Sequence, residues 1–237
     1  MSITVNDVPV AAGAGWIKAA FGLFAAQPFQ WIALTALWML VTLLSLAVPL
    51  LGPVIGTMLQ PVFVAGMMLA ARDQDSGRLV TVRHLFAAFQ VNPRALIKVG
   101  SLVLAAEIVA LLFLAVAELP KITITTLSAE ELQAGRNALA GHGWKLALAA
   151  GFLMCVNTIL WFCAPLLAFN AMPAAHAIRW SAYAVFSNVL PLLCFAALML
   201  ALFFFAMLPW GLGLIVAMPL LMISHYTSYK SVFSALE

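Results

Sequence analysis

The sequence predicts an all-α integral membrane protein with six transmembrane helices in three hairpins, each preceded by a cytoplasmic interfacial amphipathic helix. Three observations carry this. Of 237 residues, 65% are hydrophobic and only 8% are charged, against about 25% charged in a soluble domain. Apolar runs recur along the chain. One of them, Trp144 to Phe169, holds 26 residues with a single charge, Lys145, in its first turn. At 1.5 Å per residue it reaches roughly 39 Å, beyond the ~30 Å hydrocarbon core. Only a helix satisfies its own backbone there. Third, shorter segments of amphipathic spacing stand in front of the runs.

In chain order, residues 1–15 read as loose. They lack a basic stretch ahead of an apolar one, so no cleavable signal is expected and the first membrane helix drives insertion. Trp16 to Ala26 reads as the first interfacial helix, with Trp16, Ala20, Leu23 and Phe24 on one side and Lys18 elsewhere. Gln27-Pro28 ends it. Trp31–Leu51 is the first membrane helix, Gly52-Pro53 turns the chain, and Val54–Ala71 returns with Gln60-Pro61 in its middle. After the charged loop 71–78, Val82, Leu85, Phe86 and Phe89 mark a second interfacial helix that ends at Asn92-Pro93. Arg94–Val116 is the third membrane helix, with Glu107 inside it. In the long loop 117–143, Ser128 and Glu131 form a capping box and Gly141 a stop, predicting a short surface helix. The fourth membrane helix is the Trp144–Phe169 run. Pro173 opens a third interfacial helix with Ile178, Ala182, Val185 and Val189 as its apolar stripe. Leu190–Leu208 is the fifth membrane helix, Pro209-Trp210-Gly211 a turn, and Leu212–Ser224 the sixth.

The basic residues divide unevenly between the two sides. Lys18, Arg72, Arg78, Arg83, Arg94, Lys98, Arg179 and Lys230 fall on one side, and Lys121, Arg136 and Lys145 on the other. The positive-inside rule then places both termini in the cytoplasm.

The pattern repeats as units of roughly 16–71, 82–170 and 173–229 within a single polytopic domain. Phe24-Ala-Ala-Gln27-Pro28 matches Phe89-Gln-Val-Asn92-Pro93, with Phe186-Ser187-Asn188 and Pro191 a looser third copy. The returning helices carry Pro61, Pro165 and Pro219, and five residues after each stands Gly66, Asn170 or Ser224. Proline kinks the helix, and the later residue can let a neighbour approach. Three hairpins around a pseudo-threefold axis are expected.

The amphipathic helix before each hairpin, and Ala164-Pro165-Leu-Leu-Ala-Phe-Asn170 followed by Ala174–Ser181, resemble a group of uncharacterised six-helix bacterial inner-membrane proteins. That group is similar to the membrane domain fused to some glycerophosphodiester phosphodiesterases. The resemblance implies the architecture and a bacterial inner membrane. It carries no catalytic residues onto this chain, which lacks the phosphodiesterase domain.

Candidate chemistry is sparse. Glu107 is costly at mid-membrane and needs a partner or a proton. With Gln60 and Asn157 it can form one polar layer, read either as a proton or ion site or as a neutral carboxylic acid holding helices together. Arg72, Arg78, Arg83, Arg94 and Lys98 are candidates for lipid head-group contact, or serve topology alone. His84, His176 and His225 at the cytoplasmic edge form a weak metal or haem candidate, with no i, i+4 partner among them. Cys155, Cys163 and Cys194 lie in apolar runs without CxxC spacing, so neither a disulfide framework nor zinc is indicated. No P-loop, G-x-S-x-G, HExxH or Rossmann fingerprint occurs. The net charge of +3 is too small to imply nucleic acid. No cofactor is implied. The expected function is non-enzymatic: an accessory or assembly subunit of a membrane complex, or a lipid-organising protein. A small transporter or channel around Glu107 is the alternative. The expected partners are the lipid bilayer and other membrane subunits.

Overall fold

The computed structural model describes residues 3–116, 129–170 and 172–235. A short sheet joins the chain ends: β1 (Ile3–Val5) pairs antiparallel with β2 (Phe233–Ala235), Thr4 opposite Ser234. Helices make up the rest of the regular structure: α1 (Ala12–Ala26), α2 (Pro28–Leu46), α3 (Leu51–Asp75), α4 (His84–Ala87), α5 (Pro93–Val116), α6 (Ala129–Ile159), α7 (Cys163–Phe169), α8 (Ala174–Ser187), α9 (Val189–Met207) and α10 (Leu214–Val232). A 3-10 turn, Ala88–Gln90, extends α4.

Among the described residues, five stretches are long and apolar enough to cross a membrane: α2, α3, α5, α9 and the run Gly143–Phe169. The expected sixth belongs to α10, which is not among them. Its apolar part, Leu214–Ser224, has 11 residues and rises only ~16 Å. From His225 to Lys230 every side chain can hydrogen-bond.

The chain divides into two compact units, Met1–Ser101 with Ile159–Glu237, and Leu102–Thr158. In the first, one core gathers Trp31, Leu34, Phe63, Met67, Met68, Leu85, Leu220 and Ile223. Burial is concentrated at the end that carries the chain termini. In α2 the buried residues are Trp31, Leu34 and Thr35, all in its first half. In α3 they run almost continuously from Val62 to Ala71, in its second half. In α10 they run from Ala217 to Val232. The far halves expose Leu43, Leu44, Leu46, Leu200, Phe204 and Phe205.

α1 lies against α10 and α9 with Gly13, Trp16, Ala20 and Phe24 buried, while Leu23 of the predicted stripe is half-buried. At Gly13 a Cβ would stand 2.5 Å from the Pro191 carbonyl, so only glycine permits this approach. In the second unit, Val103, Ala106 and Ala110 of α5 and Ala149 of α6 are buried.

Further expectations need correcting. Residues 3–8 are not loose, because β-pairing and side-chain clamps fix them. The second amphipathic segment is only α4 and its 3-10 turn, burying Leu85 and Ala88 while Val82 and Phe86 are exposed. The buried face of α8 is Ala177, Ser181, Ala184 and Val185, with Asn188 just beyond, one residue off the predicted stripe except at Val185. It follows two hydrogen-bonding residues, Ser181 and Asn188, rather than the largest aliphatics. The expected surface helix in 117–143 is instead continuous with the fourth membrane helix, since α6 runs unbroken from Ala129 to Ile159. A helix tolerates Gly141 and Gly143 at about 1 kcal/mol each. The cap residue Ser128 lies outside the described residues.

Candidate functional site

Six consecutive side chains of α10 each grip another part of the first unit. The His225 Nε2 donates to the Trp161 carbonyl, and the two rings stack with centroids 4.2 Å apart. The Tyr226 hydroxyl donates to Asp75 at 2.9 Å. The Thr227 hydroxyl donates to the Trp16 carbonyl at 2.9 Å. Ser228 accepts the Trp161 indole N–H at 3.3 Å. Tyr229 accepts from the Asn170 amide at 3.0 Å. The Lys230 ammonium meets Asp75 at 2.5 Å. Successive helical residues step by 100°, so a run of six points in every direction. α10 is therefore a hub clasped to α1, α3 and the end of the fourth membrane run. Burial holds the His225 ring neutral, its pKa lowered to about 4 against the opposing pull of the Trp161 carbonyl. Burial, then the neighbouring Asp75, push the Tyr226 phenol above its ordinary range.

The fourth membrane run is discontinuous. α6 ends at Ile159, Leu160–Phe162 form a turn, and α7 begins at Cys163. Pro165 lacks the N–H that would bond the Trp161 carbonyl at i−4. His225 supplies that donor. Ser181 serves the other side of the gap: its hydroxyl donates to the Ile159 carbonyl at 2.6 Å and accepts the Phe162 N–H at 3.0 Å. Buried backbone groups released by the break are thus satisfied from α8 and α10.

Three amides at matching places in the repeat form a second set of clamps. Gln27 immediately precedes α2, accepting from the Val80 N–H at 2.8 Å and donating to the Arg78 carbonyl at 3.2 Å. Asn92 immediately precedes α5 and donates to the Met172 carbonyl at 3.2 Å. Asn188 immediately precedes α9, accepting from the Val8 N–H at 2.9 Å and donating to the Asn6 carbonyl at 3.0 Å. Each amide holds the backbone just ahead of another amphipathic segment: Gln27 that of α4, Asn92 that of α8, Asn188 that of α1. The order closes on itself.

Around α3 the loop is pinned by charge. Asp73 faces His84 Nε2 at 3.2 Å and Arg78 at 3.4 Å. His84 Nδ1 accepts the Thr81 N–H at 3.1 Å, which leaves the Nε2 proton for Asp73. Buried Gln74 accepts the Trp31 indole N–H and donates to the Leu23 carbonyl, both at 2.7 Å.

The predicted site residues fall as follows. Gln60 lines a cavity of about 600 Å³ between α2 and α3, with Thr42, Ser45 and Thr57 as its hydroxyls. Glu107, half-buried on α5, and Asn157 belong to the second unit, where the Asn157 amide donates to the Leu153 carbonyl of its own helix at 2.9 Å. Arg72 lies over the Phe169 ring, 4.9 Å from its centroid, and Arg78 meets Asp73. Arg83, Arg94 and Lys98 are exposed. The three histidines have separate surroundings: His84 with Asp73, His225 with Trp161, and His176 in a surface concavity of α8. Among the described residues no three His, Cys, Asp or Glu side chains are grouped to hold a metal ion. Gln27, Asn92 and Asn188 stand out in the sequence as matched repeat positions, but neither their clamp role nor the α10 run follows from it. The signal for the α10 run was six hydrogen-bonding residues in succession after an apolar helix.

The chain is similar to a probable inner membrane protein of Burkholderia thailandensis, 28% identical over 257 aligned residues that cover 98% of this chain and 94% of the relative. No family model matches the sequence. No solved structure matches it. The likeness to the phosphodiesterase-linked membrane domain finds no support in these comparisons. With five apolar stretches of spanning length among the described residues, the chain is a multi-pass, mainly helical membrane protein similar to an inner-membrane protein.

Proposed function

We propose that this is a non-enzymatic protein of the bacterial inner membrane that works through contacts, as an accessory or assembly subunit of a membrane complex or as an organiser of lipid. One observation carries the reading. Packing is concentrated at the end of the termini, and the far halves of the spanning helices present Leu43, Leu44, Leu46, Leu200, Phe204 and Phe205 outward. Apolar surface of this extent suits acyl chains and neighbouring helices. The polar side chains that a mechanism would need, from His225 to Lys230 and at Ser181, Gln74 and Asp73, are engaged in holding the protein's own backbone and loops.

In this reading the domain is a single one of three hairpins. α10 is the sixth membrane helix, with Leu214–Ser224 in the bilayer and the polar run at the cytoplasmic rim. Both termini are cytoplasmic, on the side of the eight basic residues. The closed order of the Gln27, Asn92 and Asn188 clamps supports the threefold repeat. The test is purification in mild detergent from the native membrane, with mass spectrometry of what accompanies the protein. A stoichiometric membrane protein or a retained phospholipid is expected. Recovery with neither overturns the reading.

A second reading, a small transporter, is favoured by the ~600 Å³ cavity that Gln60 shares with Thr42, Ser45 and Thr57. Solute flux in proteoliposomes that Gln60→Leu abolishes would establish it.

A further inference from the structure

We propose that each amphipathic segment carries a seat for the phosphate of an anionic phospholipid, with the best-formed seat on α8. The inference rests on the reading that the protein organises lipid, and it assigns the head-group contact to named residues. Aligned on the clamp amides Gln27, Asn92 and Asn188, the three segments each place a cation nine residues earlier: Lys18, Arg83 and Arg179. All three are exposed. Among the described residues none of them pairs with a carboxylate, whereas Arg78 and Lys230 do. About one helical turn further on, each segment shows an outward aromatic ring: Phe21, Phe86 and Tyr183.

On α8 the arrangement is complete. His176, Arg179, Trp180 and Tyr183 follow i, i+3, i+4, i+7 spacing and line one surface concavity of about 530 Å³. The buried Ala177, Ser181 and Ala184 lie roughly 120° further round the helix. Trp180 and Tyr183 pack edge to face at 6.2 Å. Beyond them, Ser187 aside, the exposed side chains are apolar, among them Phe186, Leu190 and Leu193. A cation, then amphipathic rings, then aliphatics is the order met from phosphate to ester to acyl chain. The Arg179 fork suits two phosphate oxygens, and its charge complements the phosphodiester. On α4, Arg83, Phe86 and Gln90 line a smaller concavity of about 410 Å³.

The test uses the full chain, delipidated in detergent and titrated with phosphatidylglycerol or phosphatidylcholine, with bound lipid counted by native mass spectrometry. The wild type is expected to bind phosphatidylglycerol about fivefold more tightly than phosphatidylcholine, the scale of one cation near an anionic head group. Arg179→Gln alone removes the tightest adduct, and Lys18→Gln, Arg83→Gln and Arg179→Gln together abolish the preference. Arg94→Gln with Lys98→Gln retains it. Inorganic phosphate at millimolar concentration does not displace the lipid, because the rings and aliphatics contribute to its binding. An unchanged preference in the triple variant overturns the proposal. If that result comes with a preference lost in the Arg94 and Lys98 variant, the rim still contacts lipid and only these seats fall. No preference in the wild type removes the seats and the anionic-lipid reading together. The substituted side chains are exposed, so an unchanged melting temperature accompanies each valid comparison.

Discussion

His225 donates its Nε2 proton to the carbonyl of Trp161, the acceptor that Pro165 leaves without its helical partner. The two residues are 64 positions apart in sequence, and their rings stack at 24°. A proline in one apolar run and a histidine at the end of another are therefore complementary halves of one device. The first opens a helix and the second satisfies what it opens.

Removing the donor should leave a buried carbonyl without a partner. His225→Phe keeps the stacking and loses the hydrogen bond, and should destabilise by about 1–3 kcal/mol. His225→Gln, which retains a donor, should recover part of that loss. Thermal unfolding of the detergent-solubilised protein measures both.

The same residue sets a pH dependence. Folded His225 titrates near 4, against an ordinary value of 6.5. Between these values the unfolded chain binds the proton and the folded protein does not, so stability falls as pH drops from 6.5 towards 4 and levels off below that. At 1.36 kcal/mol per pH unit the loss is bounded at about 3 kcal/mol. Melting curves across pH 4 to 7 should show the slope in the wild type and a shallower one in His225→Gln.

Ser181 holds the other lip of the break with a single hydroxyl that both donates and accepts. Ser181→Ala should strand the Ile159 carbonyl and the Phe162 N–H together, at a cost of about 2–4 kcal/mol. Because Ser181 and His225 brace one gap, the double variant should cost less or more than the sum of the singles. Strict additivity in a double-mutant cycle would show that the two lips are independent.

Much of the fold is legible in the sequence wherever burial follows bulk. Trp16, Ala20 and Phe24 announce the buried face of α1, and Asn92-Pro93 marks where α5 begins, with proline at its first turn. Legibility ends where small or polar residues do the packing. On α8 the eye follows Ile178 and Val189, yet burial goes to Ala177, Ser181 and Asn188, and the partners of Ser181 and Asn188 lie in the break between α6 and α7 and in the N-terminal segment. Periodicity cannot anticipate partners 19 or 182 residues away. The continuity of α6 through Gly141 and the pinning of residues 3–8 were hidden for similar reasons. One is a tolerated helix breaker, and the other a clamp supplied from the far end of the chain.

Gly66, five residues after Pro61, is where a neighbour approaches α3: a Cβ there would stand 2.5 Å from the His84 carbonyl and 2.6 Å from that of Leu85. Gly66→Ala should push α4 off α3 and cost about 1–3 kcal/mol. Gly15→Ala, in an open position of α1, should be neutral or stabilise by up to about 1 kcal/mol through helix propensity. Limited proteolysis of the 76–83 loop should quicken for Gly66→Ala alone, since the His84–Asp73 contact depends on α4 staying seated.

Two neighbouring residues of α3 separate buried from exposed polarity. Gln74 is buried and joins the Trp31 indole to the Leu23 carbonyl. Asp75 is partly exposed and pairs with a Lys230 side chain that is 61% exposed. Charge suggests that Asp75 matters more, but solvent and salt weaken an exposed pair to about 0–1 kcal/mol. Gln74→Leu leaves a buried indole N–H and a carbonyl unpaired, which costs about 2–4 kcal/mol. Gln74→Leu should therefore lower the melting temperature more than Asp75→Asn. Only the Asp75→Asn effect should shrink at high salt, because its partner is an ion. A larger loss in Asp75→Asn would mean that Tyr226 and Lys230 hold α10 to α3 more strongly than Gln74 holds the core.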